Sequence, residues 1–249
     1  MKNIRLTIQY DGTRYKGWQR QREKNDNITT IQGKIENVLT KMLGEEIELI
    51  GCSRTDAGVH AENYIANFFT KSEYSFEEMK KYLLDYLPED IVIKNIKLAG
   101  DRFHSRYNVK SKTYVYRIDN KDYMDVFNKR FSYYLKDKLD IVSMKKASEY
   151  LIGTHNFKSF TNLKANTKKS TIRTINFINI IENNGIIEIE INGDGFLLNM
   201  VRIIVGTLIE VGNKKINPED IKDILEKENR EFAGDKVPAK GLILKEIFY

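Results

Sequence analysis

Cysteine, histidine and proline are all scarce in this chain of 249 residues, which has one Cys, three His and three Pro. With Cys52 alone, no disulfide can close within the chain, and a reducing compartment is expected. Cys52 lies in an apolar, strand-like stretch and reads as a small buried hydrophobe rather than a nucleophile. His60, His104 and His155 stand far from one another and from Cys52 in sequence, without the spacing of metal ligands, so no metal site is expected. Linkers rich in Pro, Gly or Ser and low-complexity tracts are also missing. No apolar run approaches the roughly 20 residues of a membrane-spanning helix. The first ten residues alternate polar and apolar side chains instead of forming the apolar block of a leader. The expected location is therefore the cytoplasm, away from membranes.

What is present describes a globular chain: 31% charged and 41% hydrophobic residues, with length for one large domain or two smaller ones. Net charge is +6, from 41 basic and 35 acidic side chains, a weak pointer to an anionic partner. Its distribution says more. Arg14, Lys16, Arg20, Arg22 and Lys24 cluster near the start; Arg102, Arg106, Lys110, Lys112, Arg117 and Lys121 form a second basic stretch. Lys158, Lys164, Lys168, Lys169 and Arg173 form a third, whereas residues 76–87 are rich in acid. Such segregation suits a phosphate-binding surface. Tyr15, Trp18, Phe103, Tyr107, Tyr114 and Tyr116 are interleaved with these cations, and stacking surfaces beside cations suit unstacked RNA bases.

Residues 51 to 61, Gly-Cys-Ser-Arg-Thr-Asp-Ala-Gly-Val-His-Ala, place the carboxylate of Asp56 between an arginine and a glycine. Alternation over residues 46–52 and a strand-like run over 64–69 make this a loop between strands, a common place to present a catalytic group. An Asx turn capped by its own aspartate would use the same residues. Elsewhere, Ile4, Leu6, Ile8 and Tyr10 form one face of a first strand. Thr29 with Gln32 reads as a capping box opening a helix with Ile31, Ile35, Val38, Leu39 and Met42 at helical spacing. Ser75 with Glu78 opens a second helix carrying Phe76, Met79, Leu83 and Tyr86, and strands are expected over 91–98 and 111–119.

In the second half, a helix with Ile141, Met144, Ala147 and Leu151 precedes a strand over 171–181. Asn184-Gly185 marks a hairpin into a strand with Ile187, Ile189 and Ile191. An apolar helix is expected from Phe196 to Val211, and another starting at Asn217-Pro218-Glu219-Asp220. A final strand runs from Leu242 to Phe248. Hairpins mixed with helices give an α+β class, with a boundary near residue 105 dividing 1–105, which carries the Asp56 loop, from 106–249.

Taken together, Tyr10-Asp11-Gly12, Gly17-Trp18-Gln19, the run from 53 to 61, Arg102-Phe103-His104-Ser105-Arg106 and Lys112-Thr113-Tyr114-Val115-Tyr116 form an ordered set of motifs. Thr171-Ile172-Arg173, Gly195-Phe196-Leu197, Met200-Val201-Arg202, Val205-Gly206 and Gly241-Leu242 continue it. In order and spacing this set resembles the tRNA pseudouridine synthase A (TruA) family over nearly the whole chain. Ser53 stands where many members have glycine, and Val237-Pro238-Ala239 where Ala-Pro-Ala is frequent; neither is a residue with a chemical role.

The resemblance implies a pseudouridine synthase fold of two similar α+β halves, RRM- or ferredoxin-like, with antiparallel sheets, a basic central cleft and a homodimer. It implies an isomerase, an intramolecular transferase, that converts uridine to pseudouridine at positions 38, 39 and 40 of the tRNA anticodon stem-loop without a cofactor. Asp56 would be the nucleophile; a carboxylate is ionised at neutral pH and needs no base to activate it. An ionised carboxylate in a dry site needs a cation, a role the resemblance gives to Arg173, with Tyr114 stacking on the target base. Arg54 would assist base flipping, with Leu197 near the uracil and Arg202 also contacting substrate. Arg14, Lys16, Arg20, Arg22, Arg102, Arg106, Lys110, Lys112, Lys168 and Lys169 are the candidate RNA contacts. Three alternatives remain at this point: a paralogue acting on other RNA uridines, a non-catalytic tRNA-binding or chaperone module, and a carboxylate hydrolase of ribosides, which would need a second carboxylate such as Asp11 or Asp194.

Overall fold

Period-two alternation in the first residues becomes strand β1 (Lys2–Tyr10), whose inward Ile4, Leu6 and Ile8 are fully buried. The structure is a computed structural model that describes residues 1–21, 29–163 and 170–249. The chain divides into two units, one of Met1–Lys110 with Leu244–Tyr249 and the other of Ser111–Ile243.

In the first unit β1 is followed by α1 (Ile31–Leu43), β2 (Ile50–Gly51), β3 (His60–Thr70), α2 (Phe76–Tyr86) and β4 (Ile91–Leu98). The strand order is β4-β1-β3, with β2 on the far side of β3, and the pairings are antiparallel. This βαββαβ order is ferredoxin-like. Helix α1 buries Ile31, Ile35 and Leu39, and each such side chain contributes about 1.5–3 kcal/mol of transfer free energy. Ser75 and Glu78 make a complete capping box on α2. Ser75 donates through its backbone N and its hydroxyl to Glu78 Oε2, and these bonds, the backbone one first, pull the exposed Glu78 carboxyl below its ordinary range. Met79 and Leu83 face inward, while Tyr86 is 63% exposed.

Two expectations for this unit are corrected. The cap of α1 is Thr30, whose hydroxyl accepts from Gly33 N, and not Thr29, whose carbonyl is taken by Lys16 N. Gln32 does not reach back to the cap; its amide accepts from Arg20 N and donates to Glu36 and to Leu49 O. The strand expected over 46–52 shrinks to Ile50–Gly51. Ile47 N donates to Thr40 Oγ1 and Leu49 N to Glu36 Oε1, which ties this stretch to α1 on the side away from β3.

The second unit repeats the pattern as β5 (Ser111–Asp119), β6 (Tyr133–Tyr134), α3 (Ile141–Glu149), β7 (Gly153–Asn156), β8 (Ile172–Asn183), β9 (Ile186–Gly193), α4 (Met200–Gly212) and α5 (Asp220–Lys227). Its strands run β5-β9-β8-β7, antiparallel, with β6 parallel to β5. The expected α+β class of two similar halves holds. Helix α4 begins at Met200 and not at Phe196, because Asn199 is left-handed, with φ 61°. Helix α5 starts at Asp220; Asn217 precedes it and donates through its backbone and side chain to Asp220 Oδ2.

The last strand, β10 (Leu242–Phe248), crosses the division at residues 243 and 244. Its end belongs to the first unit for visible reasons: Asn63 Nδ2 donates to Lys245 O, Lys110 N to Phe248 O, and Tyr249 OH to Ser105 O.

Buried amides organise the first unit. Asn67 Nδ2 donates to Asn3 Oδ1 at 2.9 Å, Asn3 Nδ2 donates to Gly100 O and Phe103 O, and Ser105 donates through N and Oγ to Asn67 Oδ1. All three residues are 0% exposed. Asn67→Ala strands a carboxamide oxygen and two donors in the interior and is expected to cost about 2–4 kcal/mol, read as a lower denaturant midpoint.

In the second unit Asp125 accepts from Asn128 Nδ2, Lys121 Nζ and the backbone of Phe127 and Asn128. The Asn128 side chain first, then Lys121, hold its pKa down at about 2. A depressed carboxyl stabilises the fold above its unfolded pKa, and that contribution is lost as pH falls through the folded value. The gap in thermal midpoint between wild type and Asp125→Asn is therefore expected to shrink as pH falls from about 4 to about 2.

Candidate active site

Three aromatic rings set the position of the loop that carries Asp56. Trp18 and Tyr64 stack with centroids 3.9 Å apart, and Tyr10 lies 5.8 Å from Tyr64. Gly51 passes against them, where a Cβ would fall 2.2 Å from the Tyr64 hydroxyl. From this cluster the Tyr64 hydroxyl donates to Ser53 O, and the Tyr10 hydroxyl meets Thr55 Oγ1 at 2.9 Å. The backbone is thus held on both sides of Arg54. Thr55 turns inward at 8% exposure, leaving Arg54 exposed and Asp56 half-buried.

The segment 12–18 braces the same loop from its other side. Trp18 N donates to Thr55 O, Gly58 N to Tyr15 O, and Val59 N to Asp56 O. Gly17 adopts φ +88°, and a Cβ there would lie 2.4 Å from Thr55 O; at Gly12 it would lie 2.0 Å from Val59 O. Backbone approach therefore requires glycine at both positions, and at Gly17 the conformation requires it as well. His60, 2% exposed, accepts from Gly12 N at Nδ1 and lies 3.1 Å from Asp11 Oδ1, a structural tie between the two segments.

In the second unit Tyr114 sits on β5 opposite Ile191, 6% exposed, and meets the Phe196 ring edge-on at 5.3 Å. Phe196 lies over Gly193, and a Cβ on Gly195 would be 3.6 Å from Arg173 Nε. The turn 193–196 therefore touches Tyr114 through Phe196 and passes close to Arg173 at Gly195. Arg173 is half-buried on β8 and donates to Ser170 O and Ile172 O. Leu197 is 7% exposed and Leu198 45%. Arg202, 9% exposed, donates from Nε to Val237 O at 2.7 Å and reaches Asn199 Oδ1. The Tyr116 hydroxyl donates to Pro238 O, and burial drives its pKa far up. Arg202 and Tyr116 together hold the Val237-Pro238 segment.

Among the candidate RNA contacts, Arg14, Lys16, Arg20, Arg102, Arg106 and Lys110 are exposed and Lys112 is half-buried. Arg14 is paired through Nε and Nη2 with Asp90 Oδ2, which also raises its pKa. The Tyr15 hydroxyl donates to the same carboxylate, and burial first, then that bond, push its pKa up. Arg20 lies 3.5 Å from Glu36. Arg22, Lys168 and Lys169 lie outside the described residues, as do Lys24 and Lys164 of the basic stretches. Among the described residues no group of three or more His, Cys, Asp or Glu could hold a metal ion, and no helix is long and apolar enough to cross a membrane.

Sequence reading missed the supporting residues. Tyr10 and Tyr64 looked like ordinary strand aromatics, and only the antiparallel register brings them to one place over the loop. Phe196 was visible as an apolar residue, with nothing to mark it as the neighbour of Tyr114.

The family model described as tRNA pseudouridine synthase matches residues 6–108 and 147–249, one stretch centred on each half of the fold. Relatives agree along the entire length. The tRNA pseudouridine synthase A 1 of Clostridium tetani (strain Massachusetts / E88) is 58% identical over 249 residues, covering 100% of both chains. The tRNA pseudouridine synthase A 2 of the same strain is 52% identical, covering 100% of this chain and 99% of its own. The tRNA pseudouridine synthase A of Bacillus sp. (strain KSM-64) is 49% identical and covers 100% of each. The chain belongs to the tRNA pseudouridine synthase A family.

The brace on the Asp56 loop can be tested at one atom. Gly17→Ala puts a methyl into Thr55 O in a conformation that alanine disfavours, and is expected to cost about 1–3 kcal/mol. Amide chemical shifts should move over residues 53–59 and stay in place in the second unit.

Proposed function

We propose that this protein isomerises uridine to pseudouridine at positions 38, 39 and 40 of the tRNA anticodon stem-loop, with Asp56 as the nucleophile. The observation that carries the reading is the braced loop. Hydroxyls of Tyr10 and Tyr64 and the turn through Gly17 fix the backbone around Arg54 and Asp56, and this rigidity serves covalent chemistry at a carboxylate. Family membership supports the reaction class. In this reading Tyr114 and Arg173 of the second unit carry the stacking and charge-balancing roles. Arg54 assists flipping, and Leu197 lines the uracil site. Arg202 acts on the substrate through the segment it holds, since its Nε is bonded to Val237 O.

The reaction breaks the N1–C1′ bond, turns the uracil and joins C5 to C1′; C5 gives its proton to solvent and N1 takes one up. Atoms and redox state balance without an added cofactor. Dispersed exposed cations and a site that accepts three neighbouring uridines imply recognition by backbone and shape more than by base edges. In this reading the protein works in the cytoplasm as a homodimer.

A second reading has one observation in its favour: Clostridium tetani carries two relatives, named A 1 and A 2. Two family members in one cell leave room for a division of RNA targets.

Tritium release from tRNA labelled at uridine C5 tests both. Wild type is expected to release label, Asp56→Ala to release it at least about a thousandfold more slowly, and both to bind tRNA with similar affinity. Replacing uridines 38, 39 and 40 by cytidine should abolish release. Release that persists in the substituted tRNA would assign the enzyme to other uridines, and binding without any release would leave a tRNA-binding module.

A further inference from the structure

Six aromatic side chains lie among the basic stretches of the sequence, and burial sorts them. Tyr15, Trp18, Tyr114 and Tyr116 are exposed by 6% or less. Phe103 is half-buried, with the Arg5 guanidinium over its ring and Tyr249 against it. Tyr107 is 79% exposed.

Tyr107 is nevertheless fixed. Its ring stacks on His104, with centroids 4.1 Å apart and planes at 26°. The His104 ring is itself oriented, since Nδ1 accepts from Arg106 N and Tyr107 N. That leaves Nδ1 without a proton and places the ring N–H of the neutral imidazole on Nε2. His104 N donates to Asn108 Oδ1, and Asn108 N returns to His104 O. Beneath the turn, Ser105 is anchored by Asn67 and by the Tyr249 hydroxyl. One face of the tyrosine is covered and the other is open, on a turn with little freedom left to lose. Arg102, Arg106 and Lys110, within five residues of it in sequence, are exposed, and Asp101 is the one acid in residues 101–110.

We infer that Tyr107, backed by His104, is a stacking platform for an unpaired base of the RNA substrate, with Arg102, Arg106 and Lys110 on the adjoining phosphates. The inference rests on the tRNA reading above and gives it one defined single-stranded contact. An open π face beside cations suits any base, because stacking is sequence-tolerant and the phosphates supply the charge. A second copy of this chain fits less well, since a self-complementary contact here would bring the same cations together.

The test uses the full chain and an unmodified tRNA transcript, with affinity measured across a salt series. Tyr107→Ala is expected to bind about tenfold more weakly with the salt slope unchanged, whereas Arg106→Ala should reduce that slope by about one. Tyr107→Trp should keep its affinity within about twofold and lose indole fluorescence when tRNA binds. Thermal midpoints should stay at the wild-type value, since the ring is exposed. Alanine binding within about twofold of wild type, together with unquenched Trp emission, overturns the platform. Loss of self-association in Tyr107→Ala with unchanged RNA affinity overturns it too, and assigns the face to a second copy. Wild-type tritium release, run alongside, separates these outcomes from failure of the synthase reading.

Discussion

The stack of Trp18 on Tyr64, with Tyr10 beside it, is the constraint on which the candidate site depends. It fills the space under Gly51 and sends hydroxyls to Ser53 and Thr55. Aromatic packing of this kind contributes area burial plus about 0.5–1.5 kcal/mol per ring pair. Its consequence here is geometric more than energetic. A loop carrying an arginine and a carboxylate separated by a single residue has no ladder of its own, and without external fixation each side chain would sample many positions. The two tyrosine hydroxyls hold the residues that flank Arg54, and the turn through Gly12 and Gly17 closes the remaining side.

A second buried framework serves the basic turn at residues 102–108. The amides of Asn3 and Asn67 have few apolar reasons to be inside, yet they are completely buried and engaged. Buried carboxamides are tolerated only when their donors and acceptors are met, and here those partners are the carbonyls of Gly100 and Phe103 and both donors of Ser105. The network translates the fixed register of β1 and β3 into a fixed position for the turn that follows β4. It explains how a loop with several exposed cations can be held from its inner face alone.

Much of the fold was legible because period and punctuation agreed: the alternation in β1, the capping box at Ser75, and Asn184-Gly185, both with positive φ, between β8 and β9. Errors came where contacts and backbone conformation outside the pattern decide an element's ends. The strand expected over 46–52 pairs with β3 only at Ile50 and Gly51, while Ile47 and Leu49 are tied to Thr40 and Glu36 on α1, and alternation cannot reveal those ties. The apolar run from Phe196 looked helical until Asn199, in a left-handed conformation, reset the start to Met200. In the candidate site, the Asp56 loop was visible from its residue pattern, while its supports were not. Tyr10 and Tyr64 are 54 positions apart in sequence and meet only through the β1–β3 register.

The two halves share one topology, and they differ at the connection between the second and third strands of that pattern. In the second unit β8 and β9 are joined by Asn184 and Gly185, with φ 50° and 74°, a type I′ turn that matches strand twist and closes without outside help. In the first unit the equivalent strands, β2 and β3, are joined by residues 52–59. A loop of that length costs little more to close than a short one, because closure entropy grows only with the logarithm of length, but it does not fix its own shape. The aromatic cluster and the glycine turn give it a single conformation. One framework used twice thus supplies a closed hairpin in one half and a braced, chemically equipped loop in the other. The difference lies in residues 52–59 and in the aromatic and glycine contacts that hold them.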